Sequence, residues 1–277
     1  MKQPLVSVII ATYNRGKYIK KAIDSVLSQN YKKIEIIVID DNSTDNTREV
    51  LLPYIKRKKV IYLNQEKKLG RILARDVALE KSKGQYIAIL DSDDFWLDSE
   101  KIKKQVEFLE KNKDYVLTGG GIIKIDSQGK EILRHMSPEN DYQIRKKLLF
   151  NNMMSHSTVV FRKNTWEKAG GYCKEEGTWL ESAEDWNLYL KMGKIGKLYN
   201  FQDYFAYYLE NGQNASFQRI HGDLKFNQSL RTKYRKDYPG FLPAYILGWF
   251  YYFYYFLPFR NSINYFLRKI RKLILKY

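Results

Sequence analysis

A single cysteine, Cys173, stands among 277 residues, so no intramolecular disulfide can form and a reducing compartment is the simple expectation. The sequence begins without a basic stretch or a small-residue cleavage site ahead of the apolar "LVSVIIATYN". No signal peptide is expected, and the protein is placed facing the cytosol. Neither G-x-x-x-x-G-K-[ST] nor G-x-G-x-x-G occurs, which removes the common glycine-rich phosphate loops. The glycines at 119–121 follow a strand-like run but lead into another apolar run, not a helix. There is no internal repeat and no low-complexity linker. With 44% hydrophobic and 29% charged residues, the composition is that of a folded chain. Its length fits one large domain, or one domain with appendages.

Positive charge, by contrast, is plentiful. The net charge is +17, and from Ala215 onward there are 12 Lys/Arg against 2 Asp/Glu. Such an excess suits a negative partner, whether a membrane surface, a nucleic acid or an anionic substrate; a solubilising surface is the alternative.

The first 120 residues alternate strand and helix. "VSVIIA" (6–11), "IEIIVID" (34–40), "KVIYLN" (59–64) and "QYIAIL" (85–90) read as strands. Between them "KYIKKAIDSVLSQ" has helical spacing, Ser43 or Thr44 is placed to cap a second helix, and Ile72, Leu73, Val77 and Leu79 mark a third. Strict alternation predicts a parallel sheet with helices on both faces, and ligands bind beyond the carboxyl ends of its strands. Tyr13, Asp40, Asp41 and the cluster Asp91, Asp93 and Asp94 then share one rim. After it, "SEKIKKQVEFLEKN" is an amphipathic helix with Ser99 as N-cap. "YVLTGGGIIKID" and "KEILRH" form an antiparallel pair.

The carboxylates carry the chemistry. D-x-D-D at a strand end offers hard oxygen ligands for Mg²⁺ or Mn²⁺, which bind through one or two carboxylates plus substrate phosphates. An acidic turn capping the 99–112 helix is the structural alternative, though Asp98 or Ser99 serves that cap better. Asp41 can accept a hydrogen bond from a nucleobase, Tyr13 can stack on that base, and Asp45 suits a helix N-terminus. In "SAEDWNLYLKM" a carboxylate ahead of a helix can act as general base or can simply complement the helix dipole.

The C-terminus differs in kind. Residues 238–259 are 22 consecutive uncharged positions, 12 of them aromatic. That length reaches a bilayer span, but six tyrosines and three prolines favour an interfacial position. "NSINYFLRKIRKLILKY" then puts Ile263, Phe266, Leu267, Ile270, Leu273, Ile274 and Tyr277 on one helical face, with cations elsewhere. This is the pattern of a helix in an anionic membrane interface; a terminal helix packed on the domain is the alternative.

Together, "VSVIIATYNR", "IIVIDDNSTD", "LDSDD" and "SAEDWNLYLKM" resemble, in order and spacing, the inverting family 2 glycosyltransferases of GT-A fold, over roughly residues 5–193. "LGRILARDVALEKSKGQYIAILDSDD" resembles the segment joining that family's Gly-Arg helix to its acidic loop, with Asp76 where the family most often has Asn. The resemblance implies an α/β fold with a Rossmann-like nucleotide-binding half. Thr12, Tyr13 and Asp41 would hold the base, and Arg75 would lie by the diphosphate. Asp91 and Asp93 would grip the ribose and a Mg²⁺ or Mn²⁺ ion, with Asp94 a further ligand, and Asp185 would be the base. His156 falls in an acceptor-side segment, where a structural histidine is the alternative, and His221 in a segment where family members sometimes place a metal or diphosphate contact. The Q-x-x-R-W signature of processive members is missing, so transfer of a single sugar is expected.

The organisation implied is a glycosyltransferase domain over 1–214, with a nucleotide-sugar half (1–120) and an acceptor half (121–214), followed by a basic aromatic membrane-associating extension (215–277). The expected donor is a nucleoside-diphosphate sugar, a UDP-sugar first. The expected acceptor is a glycan or lipid-linked hydroxyl at the cytoplasmic face of a membrane. A non-catalytic membrane-bound scaffold would show a lost carboxylate, and none of Asp41, Asp91, Asp93 or Asp185 is missing. Nucleic-acid binding would interleave cations with stacking aromatics, whereas here the aromatics are contiguous and the rim is acidic.

Overall fold

The computed structural model describes residues 3–172, 183–210 and 220–255, with side chains for all of these except 220–223 and 255. Strands β1 (Val6–Thr12) and β2 (Ile34–Asp40) run parallel, in register from Val6 opposite Ile34 to Thr12 opposite Asp40. β3 (Ile61–Asn64) flanks β2 and β4 (Tyr86–Ile89) flanks β1, both parallel. Helices α1 (Gly16–Leu27), α2 (Thr47–Lys56) and α3 (Arg71–Lys81) make the crossovers.

Alternate strand residues face opposite sides of a sheet. Ile9, Ile37, Ile39, Ile87 and Ile89 pack in one layer with Ala74, Ala78 and Leu79 of α3. Val8, Ile10, Val38, Ala88 and Leu90 enter the other, with Ile19, Ile23 and Val26 of α1. Burial on both faces explains why these strands read as mostly apolar runs rather than as alternating ones. The shared register brings Thr12, Asp41 and the residues after Ile89 to one edge.

The second half continues the same sheet with mixed directions. It contains β5 (Phe95–Trp96), α4 (Lys101–Lys111), β6 (Tyr115–Ile125), β7 (Glu131–His135) and α5 (Asp141–Lys147). A 3-10 turn (His156–Thr158), β8 (Val160–Arg162), α6 (Lys163–Lys168), α7 (Glu184–Ile195) and β9 (Lys197–Leu209) follow. The strand order is β3-β2-β1-β4-β8-β6-β9-β5, with β7 on β6. β8 runs antiparallel to both β4 and β6, and β6 and β7 form the expected antiparallel pair. Gly119, Gly120 and Gly121 lie inside β6.

At the helix starts the carboxylates the sequence offered serve, and the hydroxyls do not. α2 begins at Thr47, where Asp45 Oδ1 accepts from the Thr47 N–H at 3.0 Å, while Asp45 Oδ2 accepts from Gly16 N at the start of α1. Ser43 Oγ instead accepts from the Asn14 N–H at 2.9 Å, tying the β1 and β2 loops together. α4 begins at Lys101, and Asp98 rather than Ser99 serves its start by accepting from Glu100 N at 2.8 Å.

The expected boundary at 214/215 lies outside the described residues. Beyond it, α8 (Ile220–Lys233) and α9 (Phe241–Tyr255) form a helix pair. Leu230, Tyr234, Tyr238 and Ala244 share one core with Leu148, Leu149, Trp186 and Leu190. Among the described residues, no helix is long and apolar enough to cross a membrane.

Candidate active site

At the tip of β1, Thr12 is buried and its Oγ1 has no hydrogen-bond partner among the described residues. Tyr13 follows, with Lys68 Nζ 3.8 Å over its ring. Asp41, directly after β2, is committed within the protein. Its Oδ1 accepts from Leu69 N at 2.6 Å and its Oδ2 from Gly70 N at 2.9 Å. Gly70 has φ +89°, a conformation open to glycine. Asp41 therefore fixes the loop ahead of α3, and each oxygen keeps one lone-pair direction for a ligand.

Arg71 and Arg75, one turn apart on α3, both reach Glu184 at the start of α7. Arg75 Nη1 lies 2.8 Å from Glu184 Oε1, and Arg71 Nε lies 3.0 Å from the same oxygen. Arg75 Nη2 also binds Asp91 Oδ1 at 2.5 Å. The buried Arg75 thus bridges the end of β4 to the start of α7 instead of standing free for a diphosphate. Burial by itself would lower its proton affinity, but the Asp91 and Glu184 carboxylates outweigh that and raise it.

The three carboxylates of the acidic motif differ. For Asp91, burial is outweighed by the Arg75 charge, with smaller help from His156 and Arg71, so its carboxyl sits below the usual range. Asp93 is pushed up by burial and by the Asp91 charge, opposed by Arg15, whose Nε is 3.5 Å away. Asp94 points into the protein, where its Oδ1 accepts from Leu209 N at 3.0 Å and its Oδ2 from the Ser157 hydroxyl. Both Asp94 oxygens are thus engaged in joining this loop to β9 and the 3-10 turn, which leaves Asp91 and Asp93 to meet a ligand.

Asp91 and Asp93 suit a divalent cation. They are hard oxygen donors crowded on one turn, and Mg²⁺ typically takes one or two carboxylates and completes its shell with substrate phosphates and water. Among the described residues, no three His, Cys, Asp or Glu side chains converge as a closed cage, so the fit is to an open site completed by substrate. His221 lies in the first turn of α8, and its side chain is outside the described residues.

Asp185 follows Glu184 in the first turn of α7. Its Oδ2 accepts from Asn152 Nδ2 at 2.9 Å and its Oδ1 from the Trp186 N–H at 2.7 Å. Burial and the Glu184 charge push its carboxyl up to about 7. The preceding Ala183 is left-handed, with φ +53°, a conformation costing roughly 1–3 kcal/mol for a residue with a side chain. The ion pairs to Glu184 hold this turn in place. His156 Nδ1 lies 2.6 Å from the Tyr189 hydroxyl, while its Nε2 is buried without a partner among the described residues. Burial and the Arg75 charge push the imidazole down to about 4, so it is neutral at pH 7.

The sequence reading passed over three contributors, Arg15, Arg71 and Asn152, and it took Glu184 only as a candidate base or helix-dipole partner, not as the acceptor of two arginines. The i,i+4 arginines of "GRILAR" and the doubled acid "ED" were available signals, whereas Asn152 has none.

The sequence model of Glycosyl transferase family 2 matches residues 7–168. WfaP of Escherichia coli, a UDP-Glc:alpha-D-GlcNAc-diphosphoundecaprenol beta-1,3-glucosyltransferase, is 42% identical over 127 residues, covering 42% of this chain and 50% of WfaP. For three further curated relatives the chain spans 55% to 65% of their length. The structure of S. aureus TarS 1–349 with UDP-GlcNAc superposes with a TM-score of 0.65 at 20% identity, over 82% of this chain and 66% of that one. The mannosyltransferase PcManGT of Pyrobaculum calidifontis, with GDP-Man and Mn²⁺, gives 0.62 at 17%, over 90% and 69%. With more than half of its residues matched by the family model and its sheet superposing on these GT-A structures, the chain belongs to glycosyl transferase family 2.

Proposed function

We propose that the protein is an inverting glycosyltransferase that moves one sugar from a nucleoside-diphosphate sugar to a hydroxyl of a lipid-linked or surface-glycan precursor, with Asp185 as base. The observation carrying this reading is the Arg75 bridge, which joins Asp91 of the acidic motif to Glu184, next to Asp185.

Thr12 Oγ1, the Tyr13 ring and the remaining lone pairs of Asp41 receive the nucleoside. Asp91 and Asp93 meet the ribose and hold a Mg²⁺ or Mn²⁺ ion, which supplies charge neutralisation for the departing diphosphate. Asp185, hydrogen-bonded by Asn152, takes the proton of the acceptor hydroxyl. The acceptor oxygen forms the new bond to the anomeric carbon as the bond from that carbon to the diphosphate oxygen breaks, the nucleoside diphosphate leaving with the electron pair. No covalent enzyme intermediate is required. The donor and acceptor named for WfaP, and the UDP-GlcNAc bound by TarS, support a UDP-sugar donor and a lipid-linked acceptor. The Mn²⁺ of PcManGT supports a divalent cation.

The test is a donor screen of UDP-, GDP- and dTDP-sugars with Mg²⁺ or Mn²⁺, followed by Asp185→Asn on the donor found. Loss of a general base costs about 10²–10⁴ in rate, so transfer should fall by that factor while donor affinity is retained. Transfer at the parent rate would remove Asp185 from the role of base.

A further inference from the structure

Helix α9 is uncharged around its whole circumference, yet among the described residues only one side of it is covered. Ala244 and Gly248 are buried toward α8, where a Cβ on Gly248 would stand 2.5 Å from Gln228 Oε1. On the opposite side Leu242, Ile246 and Phe250 recur every four residues, followed by Phe253, each at least 60% exposed. A helix that is hydrophobic all round is normally enclosed by protein or lipid. Its 15 residues span about 22 Å at 1.5 Å per residue, short of the roughly 30 Å hydrocarbon core.

Charge identifies what covers it. Beside the apolar face runs an open groove of about 510 Å³ between α8 and α9, whose lining includes Lys225 and Lys233 from α8 and Tyr245 and Trp249 from α9. Arg235 and Lys236 are exposed just after α8. The sequence beyond Tyr255 adds six Lys/Arg and no carboxylate. A second copy docked here would set cations against cations, whereas an anionic bilayer offers apolar chains and negative headgroups together. We infer that the exposed face of α9 lies in the interface of an anionic membrane, with the lysine-lined groove between α8 and α9 taking lipid phosphate headgroups.

The surface is joined directly to the base helix. Arg231 of α8 donates to the carbonyls of Leu149 and Phe150 at 2.9 and 3.0 Å and stacks over Trp186. Tyr234 donates to Asn187 Oδ1, and Tyr238 to the Leu190 carbonyl. Docking through α9 therefore holds the Asp185 turn at a fixed place relative to the bilayer, as a membrane-held acceptor requires. That consequence rests on the proposed glycosyl transfer; the docking surface does not.

The test is co-sedimentation of the full chain with vesicles of phosphatidylcholine alone and of an equal mixture of phosphatidylcholine and phosphatidylglycerol. The parent should sediment with the anionic vesicles and be released by salt. Ile246→Glu/Phe250→Glu, at exposed positions, should lower partitioning at least about tenfold, with unchanged thermal unfolding and unchanged donor hydrolysis in solution. Lys225→Gln/Lys233→Gln should lose several-fold on the anionic vesicles alone. The inference is overturned if the parent ignores anionic vesicles or if the glutamate variant partitions like the parent. It is also overturned if the parent is a dimer in solution that this variant splits without change in vesicle binding. Donor hydrolysis that persists through any of these results leaves the enzymatic reading standing, so the two can fail separately.

Discussion

Replacing Glu184 by Gln keeps the shape of the side chain and removes the charge that two arginines share. Glu184 and Arg75 are each 7% exposed at the side chain, so solvent does little to screen them. Deleting one partner of a buried pair costs about 3–5 kcal/mol. The Gln oxygen can still accept one N–H, which reduces the loss to the roughly 1.5–3 kcal/mol of a charged hydrogen bond. Arg71, 35% exposed, adds about 0–1 kcal/mol. With a urea slope of about 3 kcal/mol per molar, a loss of 3 kcal/mol lowers the midpoint by about 1 M. Glu184 itself is held below its ordinary 4.5, because Arg71 and Arg75 outweigh the burial that opposes them. Its stabilisation is therefore complete above that ordinary value and is lost as pH falls through the depressed one. Parent and variant should converge in acid.

The same substitution reads out on catalysis. The Glu184 charge is, after burial, the largest influence raising Asp185. Without it Asp185 releases its proton at lower pH, and the acid limb of the pH–rate profile should move downward. Urea unfolding and rate profiles of Glu184→Gln, with Arg75→Met and the double variant closing a cycle, measure both effects. A midpoint within about 0.2 M of the parent would refute the buried bridge. A lowered midpoint with an unmoved acid limb would refute the coupling to Asp185.

Two further predictions use the motif directly. If Asp185 is the base proposed above, it must be ionised to act, and with its carboxyl pushed up to about 7 transfer should fall as pH drops below that value, with about 3% of Asp185 ionised at pH 5.5. A profile flat down to pH 5 would contradict this. Asp94→Asn should leave the metal concentration for half-maximal activity unchanged and shift stability by about 1 kcal/mol, whereas Asp93→Asn should raise that concentration; the opposite pattern would place Asp94 at the metal.

What the sequence made legible followed from local rules. Largely apolar runs at 6–11, 34–40 and 85–90 announced buried strands, and strand ends then put Asp41 and Asp91 on one edge. The partners of those carboxylates were hidden, because nothing local encodes them. Asp41 is held by backbone N–H groups 28 and 29 residues onward, and Glu184 by an arginine 109 residues earlier. Asp94 shows the limit most clearly. It stands beside Asp93 in the sequence, yet the turn sends it inward to Ser157 and Leu209, and spacing within D-x-D-D does not distinguish the two directions. At the helix starts the sequence offered both a carboxylate and a hydroxyl, and the carboxylates of Asp45 and Asp98 prevailed because they accept charge-assisted bonds.

The division of labour among the carboxylates follows from one arginine meeting them unequally. Arg75 touches Asp91 directly at 2.5 Å, and its charge keeps that carboxyl ionised despite burial. Asp185 shares the same neighbourhood but makes its side-chain bonds to Asn152 and the Trp186 N–H instead, while Glu184 takes up the guanidinium. Burial and the Glu184 charge therefore prevail there, and the proton affinity of Asp185 rises. Arg75 thus lowers both acids, but only at Asp185 do burial and the Glu184 charge prevail over it, leaving one carboxyl ionised and the other near neutrality. Such a split between neighbouring carboxylates is how one cleft supports two acid–base roles. It depends on α7 being held in place, and Tyr234 and Tyr238, in the turn between the two C-terminal helices, donate to Asn187 and Leu190 of α7 and help to hold it.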